Sequence, residues 1–234
     1  MKLVDDLLAS LKGLDHPVSR AWVGLHWTAV QSRSAGMAHT YKSNRKVELA
    51  DAGDLTSKSA LEMASRLHAW EPLEAALGLA ALNSLIEPVG SEGNVFDRIL
   101  ALADGKTVTV VGRFPSNGKI AEVAKRVHFL EMEPQKDELP SSACEEVIPL
   151  SDVNVITATA LINKTLPRLL ELGRGATNVV LGPSTPMNDV LFDYGASLLA
   201  GVKVVDSQAL ADSIMQGVKS FKNLAGIQPL VRVR

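Results

Sequence analysis

The sequence predicts an α/β protein in two parts: a small α+β unit followed by a larger, doubly wound and mostly parallel sheet. Three observations carry this. From residue 106 onward, Val- and Ile-rich runs of strand length alternate with stretches of helical periodicity, the pattern of parallel strands joined by crossover helices. Before residue 88 the order is instead a helix, paired strands and two more helices. Between the two lies PVGSEGN (88–94), whose glycines and proline read as a linker. The predicted units are 1–90 and 91–234.

Taken in order, MKLVDDLLASLKG sets Asp5 and Asp6 inside an apolar periodicity, which predicts an amphipathic helix over about 2–13 rather than the unbroken apolar core of a signal peptide. AWVGLHWTAVQ (21–31) and AGMAHTY (35–41), parted by the polar SRS, predict a β-meander or hairpin. DAGDLTSKS is a loop, with Thr56 or Ser57 as the N-cap of a helix SALEMASRLHAW. Pro72 falls in the first turn of the Ala/Leu-rich helix PLEAALGLAALNSLI, where its missing N–H costs nothing. VFDRILALADG is a short helix. KTVTVVG is the first strand of the second unit, with IAEVAKRV as its helix. HFLEME is the second strand and ACEEVIPL another short helix.

DVNVITAT (152–159) and TNVVLGPSTPM (177–187) then repeat one grammar: a buried strand, a turn of small hydroxyl residues, a helix. In open α/β sheets such strand ends are where ligands bind. NDVLFDYGASLLAG is predicted as the next helix, KVVD as the fifth strand, SQALADSIMQG as a helix and GIQPLVRV as a final edge strand.

The bulk numbers narrow the function. The chain has 234 residues, 46% of them hydrophobic but only 4% aromatic, so small aliphatic residues must fill a sizeable core. A net charge of −2 argues against nonspecific binding to nucleic acid or an anionic membrane, which needs a clustered basic surface. No apolar run approaches the roughly 20 residues that span a bilayer, and a cytoplasmic protein is expected. Cys144 is the only cysteine, so no intramolecular disulfide forms and a zinc site could draw one thiolate per chain. Within its short helix it reads as an inert packed thiol.

The first strand–helix turn, VVGRFPSNGK (110–119), fits no nucleotide template. For G-x-G-x-x-G from Gly112, the later glycines would fall at Phe114 and Asn117. For the P-loop, Gly112 to Gly118 is one residue too long and Ile120 stands where Mg²⁺ needs Ser or Thr. Neither ATP nor GTP is therefore called for. A turn holding Gly112, Arg113 and Gly118 could still set backbone N–H groups and a guanidinium beside an anion, or be a merely tight turn. Glu131, 19 residues after Gly112, stands where Rossmann-like proteins hold a ribose. Glu133 would share its face on a continuing strand.

Thr157, Thr159, Asn163 and Thr165 follow the third strand, more hydroxyl and amide groups than a helix cap alone uses. Gly182, Pro183, Ser184 and Thr185 open the next helix as either a rigid cap or a preformed anion or carboxylate pocket. His26 and His39 lie on the two predicted strands of the first unit, but no histidine spacing matches a zinc signature, and half-buried structural roles are expected for His16, His26, His39 and His68. His128 is open to either reading.

VGLHWTAVQSRSAGMAHT with PLEAALGLAALNSLI resembles the enolase N-terminal-like domain of a bacterial and archaeal family named "putative heavy-metal chelation". VVGRFP, FLEMEP, DVNVITATALINKTL and VVLGPSTPM…LFDYGASLLAGVKVVD look like that family's Rossmann-like second domain. The resemblance spans nearly the whole chain. It implies a cleft between the two domains that condenses or hydrolyses a small molecule related to flavins, pterins or siderophores. To the site residues already named it adds Phe114, Pro115, Asn83 and the segment from Thr28 to Arg33. A metal ion or metal–chelator complex is the cofactor it leaves room for, and a homodimer the assembly. Soft metals want thiolate and imidazole clusters, so handling an organic chelator suits this composition better than direct chelation.

Three readings follow. The first is an enzyme with Glu131 or Glu133 as general base and the 182–185 turn binding an oxyanion. The second is a non-catalytic carrier of a metal–chelator complex or nucleotide, favoured by the lack of a recognisable nucleophile–base pair. The third is an enzyme using S-adenosylmethionine or NAD, against which the sparse glycine of the first turn counts.

Overall fold

A computed structural model describes residues 1–41 and 48–234. It shows a mixed α/β architecture: a three-stranded antiparallel sheet beside an eight-stranded, mostly parallel one. Helix α1 (Lys2–Ser10) leads to strands β1 (Arg20–Val23), β2 (Trp27–Gln31) and β3 (Ala35–His39), a meander in that order. The run 21–31 is thus two strands, broken at Gly24. Helix α2 (Ala60–Ala64) is capped by Ser59, whose Oγ accepts from the Glu62 N–H at 3.2 Å, not by Thr56 or Ser57. Those two residues form a separate short 3₁₀ turn. Helix α3 (Pro72–Leu85) has Pro72 at its first turn and lies in the core, with ten of its fourteen residues buried.

The second sheet is built from β4 (Ser91–Glu92), β5 (Thr107–Val111), β6 (Arg126–Glu131), β7 (Leu139–Pro140), β8 (Val153–Thr157), β9 (Thr177–Leu181), β10 (Leu198–Val204) and β11 (Ile227–Val233). Its order is β4-β11-β10-β9-β8-β5-β6-β7, with only the β10–β11 and β11–β4 pairs antiparallel. Helices α4 (Val95–Ala103) and α5 (Asn117–Val123) cover one face through Ile99, Ala103 and Ile120. The other face packs on α6 (Cys144–Val147), α7 (Leu166–Leu172), α8 (Val190–Asp193) and the first unit. Helix α9 (Ser207–Met215) meets the meander through Leu210, Ile214, Trp27 and Met37.

Two expectations differ in a way that matters. The linker is no free tether: Ser91 and Glu92 pair with Val231 and Leu230, so 88–94 supplies the sheet's last strand and β11 is not its edge. The predicted helix over 188–201 stops after one turn. Gly195 takes φ 106°, and Leu198 onward is the buried strand β10 between β9 and β11. A single hydrophobic cluster runs from Leu3 through α3 to Val180, Leu199 and Leu230, so residues of both sequence units share one core. No helix among the described residues is long and apolar enough to cross a membrane.

Candidate functional site

The chain leaves β5 toward β6 on one side and later returns to β8 on the other, which makes the carboxyl ends of β5 and β8 the topological switch point, where open sheets bind ligands. Gly112 sits there with φ 107°, and a Cβ on it would meet the Thr157 side chain at 3.1 Å. The following turn satisfies itself. Asn117 Oδ1 accepts the Phe114 N–H, and Asn117 Nδ2 donates to the Gly112 carbonyl. Phe114 packs against Phe96 at 6.3 Å, while Pro115 is exposed. Arg113 is engaged by the neighbouring loop: it holds Glu138 bidentately at 2.9 and 2.6 Å and donates to the Glu133 carbonyl at 2.7 Å. That fork holds the Glu138 carboxyl down at about 2. Arg113 therefore straps the 131–138 loop to the switch point.

Glu131 ends β6, and its side chain is only 17% exposed. Burial pushes its carboxyl above the usual range, against the pull of the Arg113 guanidinium 4.0 Å away. Glu133 lies past the end of the strand and is exposed, so the two glutamates do not form a matched pair. Opposite stands a residue the sequence reading passed over. Tyr41, just beyond β3, is half-buried; burial raises its phenol, its hydroxyl interacts with the Asn163 and Thr159 side chains, and the Glu131 charge raises it further. Thr157 and Thr159 pair through their hydroxyls at 2.9 Å. Asn163 Oδ1 accepts from the Thr165 N–H and hydroxyl at 3.2 and 2.7 Å, which turns its Nδ2 toward the Met132 sulfur at 3.4 Å. The Tyr41 hydroxyl donates to the same sulfur, also at 3.4 Å. His39 stacks edge-on between Tyr41 and Trp27, at 6.2 and 5.3 Å. Glu131, Tyr41, Thr159 and Asn163 thus converge, with Met132 at the mouth.

The second repeat has a different task. Gly182 N–H bonds the Ala200 carbonyl, and the Thr185 N–H and hydroxyl both return to the Gly182 carbonyl at 3.0 and 2.8 Å. Ser184 and Thr185 are buried. Ser184 Oγ accepts the His39 N–H at 2.9 Å, and Asn83 Nδ2 ties the Met37 and Ser184 carbonyls together at 2.9 and 3.2 Å. The turn precedes α8 by several residues and does not open it. The Gly182 and Thr185 donors close the turn on itself and onto Ala200, while Ser184 accepts from His39 and Asn83, so the turn clamps the meander to the large sheet. Pro183 and Asn83 line a small cavity in that clamp with Met37 and Met187. Thr28 is fully buried against Thr40, and Arg33 is exposed at the end of the meander turn.

Lys164 adds a second tie between the units. It adopts φ 70°, left-handed for a residue with a side chain, and its Nζ donates to the Leu67 carbonyl. Partial burial pulls its ammonium from 10.5 down to about 8. Between these values the unfolded chain keeps a proton that the folded protein has released, so stability should rise with pH across that window. Urea midpoints for wild type and Lys164→Met at pH 7.5 and pH 10 should show wild type gaining on the variant. A constant gap would mean that this burial carries no cost.

Among the described residues no three His, Cys, Asp or Glu side chains are grouped to hold a metal ion. The cleft's own donors are one carboxylate, one phenol and one thioether, which do not fit a resident soft metal. Cys144 is in α6, its thiol pushed up by burial, as a packed cysteine should be.

Two family models match the chain, both described as "Putative heavy-metal chelation": DUF4213 over residues 4–86 and DUF364 over residues 94–228. No curated protein matches it. A solved structure of a DUF364-family protein of unknown function from Desulfitobacterium hafniense is similar at 24% identity and TM-score 0.88, covering 100% of this chain and 98% of that one. Another, from Pyrococcus horikoshii, is similar at 18% identity and TM-score 0.79 with the same coverage. At these identities the likeness is one of fold.

Proposed function

The chain belongs to the DUF364 family, and from that premise we propose that the switch-point cleft binds and processes a small organic molecule connected with heavy-metal handling. The reaction is a condensation or hydrolysis of a pterin-, flavin- or siderophore-like compound, with Glu131 as general base. One observation carries this reading: a half-buried carboxyl with a raised pKa faces Tyr41, Thr159 and Asn163 at the carboxyl ends of parallel strands. A base with its pKa moved toward neutrality is matched to proton transfer near pH 7. Glu133, exposed and outside the cluster, has no such environment.

The test begins with thermal shifts against riboflavin, a simple pterin and 2,3-dihydroxybenzamide. A ligand at 100 times its Kd stabilises the protein by about 2.7 kcal/mol. With a ligand in hand, Glu131→Gln should lower turnover by roughly 10²–10⁴-fold. Unchanged turnover would remove Glu131 as the base. The same variant should be more stable than wild type at pH 7. A raised carboxyl costs the folded state stability as pH climbs from its ordinary value of 4.5 through the raised one, so the gap should close below about pH 4.

A carrier reading is favoured by one observation: the described residues of the cleft contain no nucleophile hydrogen-bonded to a base. Native mass spectrometry showing a stoichiometric organic ligand that is released unchanged would support it over catalysis.

A further inference from the structure

We infer that the position now filled by the Met132 sulfur is the binding site of a carbonyl or oxyanion oxygen of the ligand, and that Met132 is a displaceable plug over it. The inference rests on reading the cleft as a small-molecule site and specifies what that site holds. Two good donors, the Tyr41 hydroxyl and the Asn163 amide, converge on one sulfur at 3.4 Å each. A thioether is a weak acceptor, so both donors gain little from it. The Tyr41 hydroxyl has the Asn163 and Thr159 side chains as its other neighbours, and Thr159 is itself paired with Thr157. Asn163 is fixed by its two bonds from Thr165, and Tyr41 is held by burial and edge-on contact with His39.

Two donors aimed at one point are what a developing oxyanion requires, and they replace the 182–185 turn in that role. Met132 is suited to moving aside. It is the first residue past β6, 58% exposed, and its side chain has three rotatable bonds. The surroundings also select the ligand. Glu131, Glu133 and Glu138 gather around one guanidinium, which Glu138 already occupies. A carboxylate or phosphate is disfavoured there, whereas the neutral carbonyl of an amide, lactam or ester is not.

Substitution at Met132 tests this without the natural ligand. Met132→Gln brings its own carbonyl oxygen to the donor pair, and Met132→Leu fills the same space without an acceptor. Met132→Gln should melt about 2–4 °C above Met132→Leu, the value of roughly one hydrogen bond in a domain of this size. In a Tyr41→Phe background most of that advantage should vanish. For binding, N-methylacetamide serves as the probe, read by the chemical shift of the Asn163 side-chain amide. Half-saturation in Met132→Ala should fall roughly tenfold below wild type, since the plug's contacts are no longer surrendered. The inference is overturned if Gln is no better than Leu, if its advantage is indifferent to Tyr41, or if Met132→Ala binds the probe no better than wild type. Loss of function in Glu131→Gln alongside such a result would leave the general-base reading standing and remove only the plug.

Discussion

Gly36→Ala should destabilise the protein by at least about 3 kcal/mol and lower its melting temperature by roughly 6–12 °C, an extreme effect for one methyl group. A Cβ on Gly36 would sit 2.1 Å from the Ser84 nitrogen and 2.4 Å from the Ala80 carbonyl oxygen. These are backbone atoms of α3, so no rotamer can yield, and helix and strand must separate. Gly78→Ala should behave alike, because its Cβ would meet the Leu67 nitrogen at 2.3 Å. Gly13→Ala is the control: nothing lies within 4 Å of its Cβ, and its stability should stay within about 0.5 kcal/mol of wild type. Urea unfolding of the three variants measures this. A Gly36→Ala protein as stable as Gly13→Ala would show that α3 does not pack on β3 as described. The damage should reach the cleft, since β3 carries His39 and leads to Tyr41 while α3 presents Asn83 to the clamp.

How far the sequence reveals such features depends on their range. The alternation of strands and helices, Pro72 at a helix start and the mostly parallel sheet are local or periodic signals, and they are visible in one dimension. The extended helix over 188–201 is misread because LLAG is a short apolar run that fits helix or strand equally, and only burial between β9 and β11 decides. The cap of α2 moves by two residues for the same reason: Thr56, Ser57 and Ser59 are equivalent on paper.

In the site, Glu131, Thr159 and Asn163 are legible because they end strands or follow them at a switch point. Tyr41 and Met132 are not. Their role arises where residues 41, 132 and 163 meet, and no spacing encodes that meeting. The 182–185 turn shows the converse. The same small polar residues at a strand end line the switch-point cleft in one repeat and form a domain clamp in the other, and which they do cannot be read from the motif.

The repeated grammar does hide one structural fact with a large consequence. Asn154 in DVNV and Asn178 in ATNV occupy the same place in the two repeats, and on the parallel pair β8–β9 they are register partners. Both are buried. Asn154 Nδ2 donates to Asn178 Oδ1 at 2.9 Å, and Asn178 Nδ2 donates to the Gly173 and Gly195 carbonyls at 3.0 and 2.9 Å. One amide thus ties two strands to the end of α7 and to the glycine turn that starts the path to β10. Asn178→Leu fills the space yet leaves the Asn154 amide and the Gly195 carbonyl unpaired, each at about 1–3 kcal/mol, while the Gly173 carbonyl keeps the Ala176 N–H. A loss of about 4 kcal/mol is expected. Asn154→Leu should cost only about 1 kcal/mol, because it strands a single Asn178 oxygen and removes the Asn154 oxygen, a buried atom without a hydrogen bond of its own. Chemical denaturation of the two variants distinguishes a hub from a symmetric pair. Equal losses would mean that the Gly195 carbonyl finds another donor, and that the repeat positions are equivalent in energy as they are in sequence.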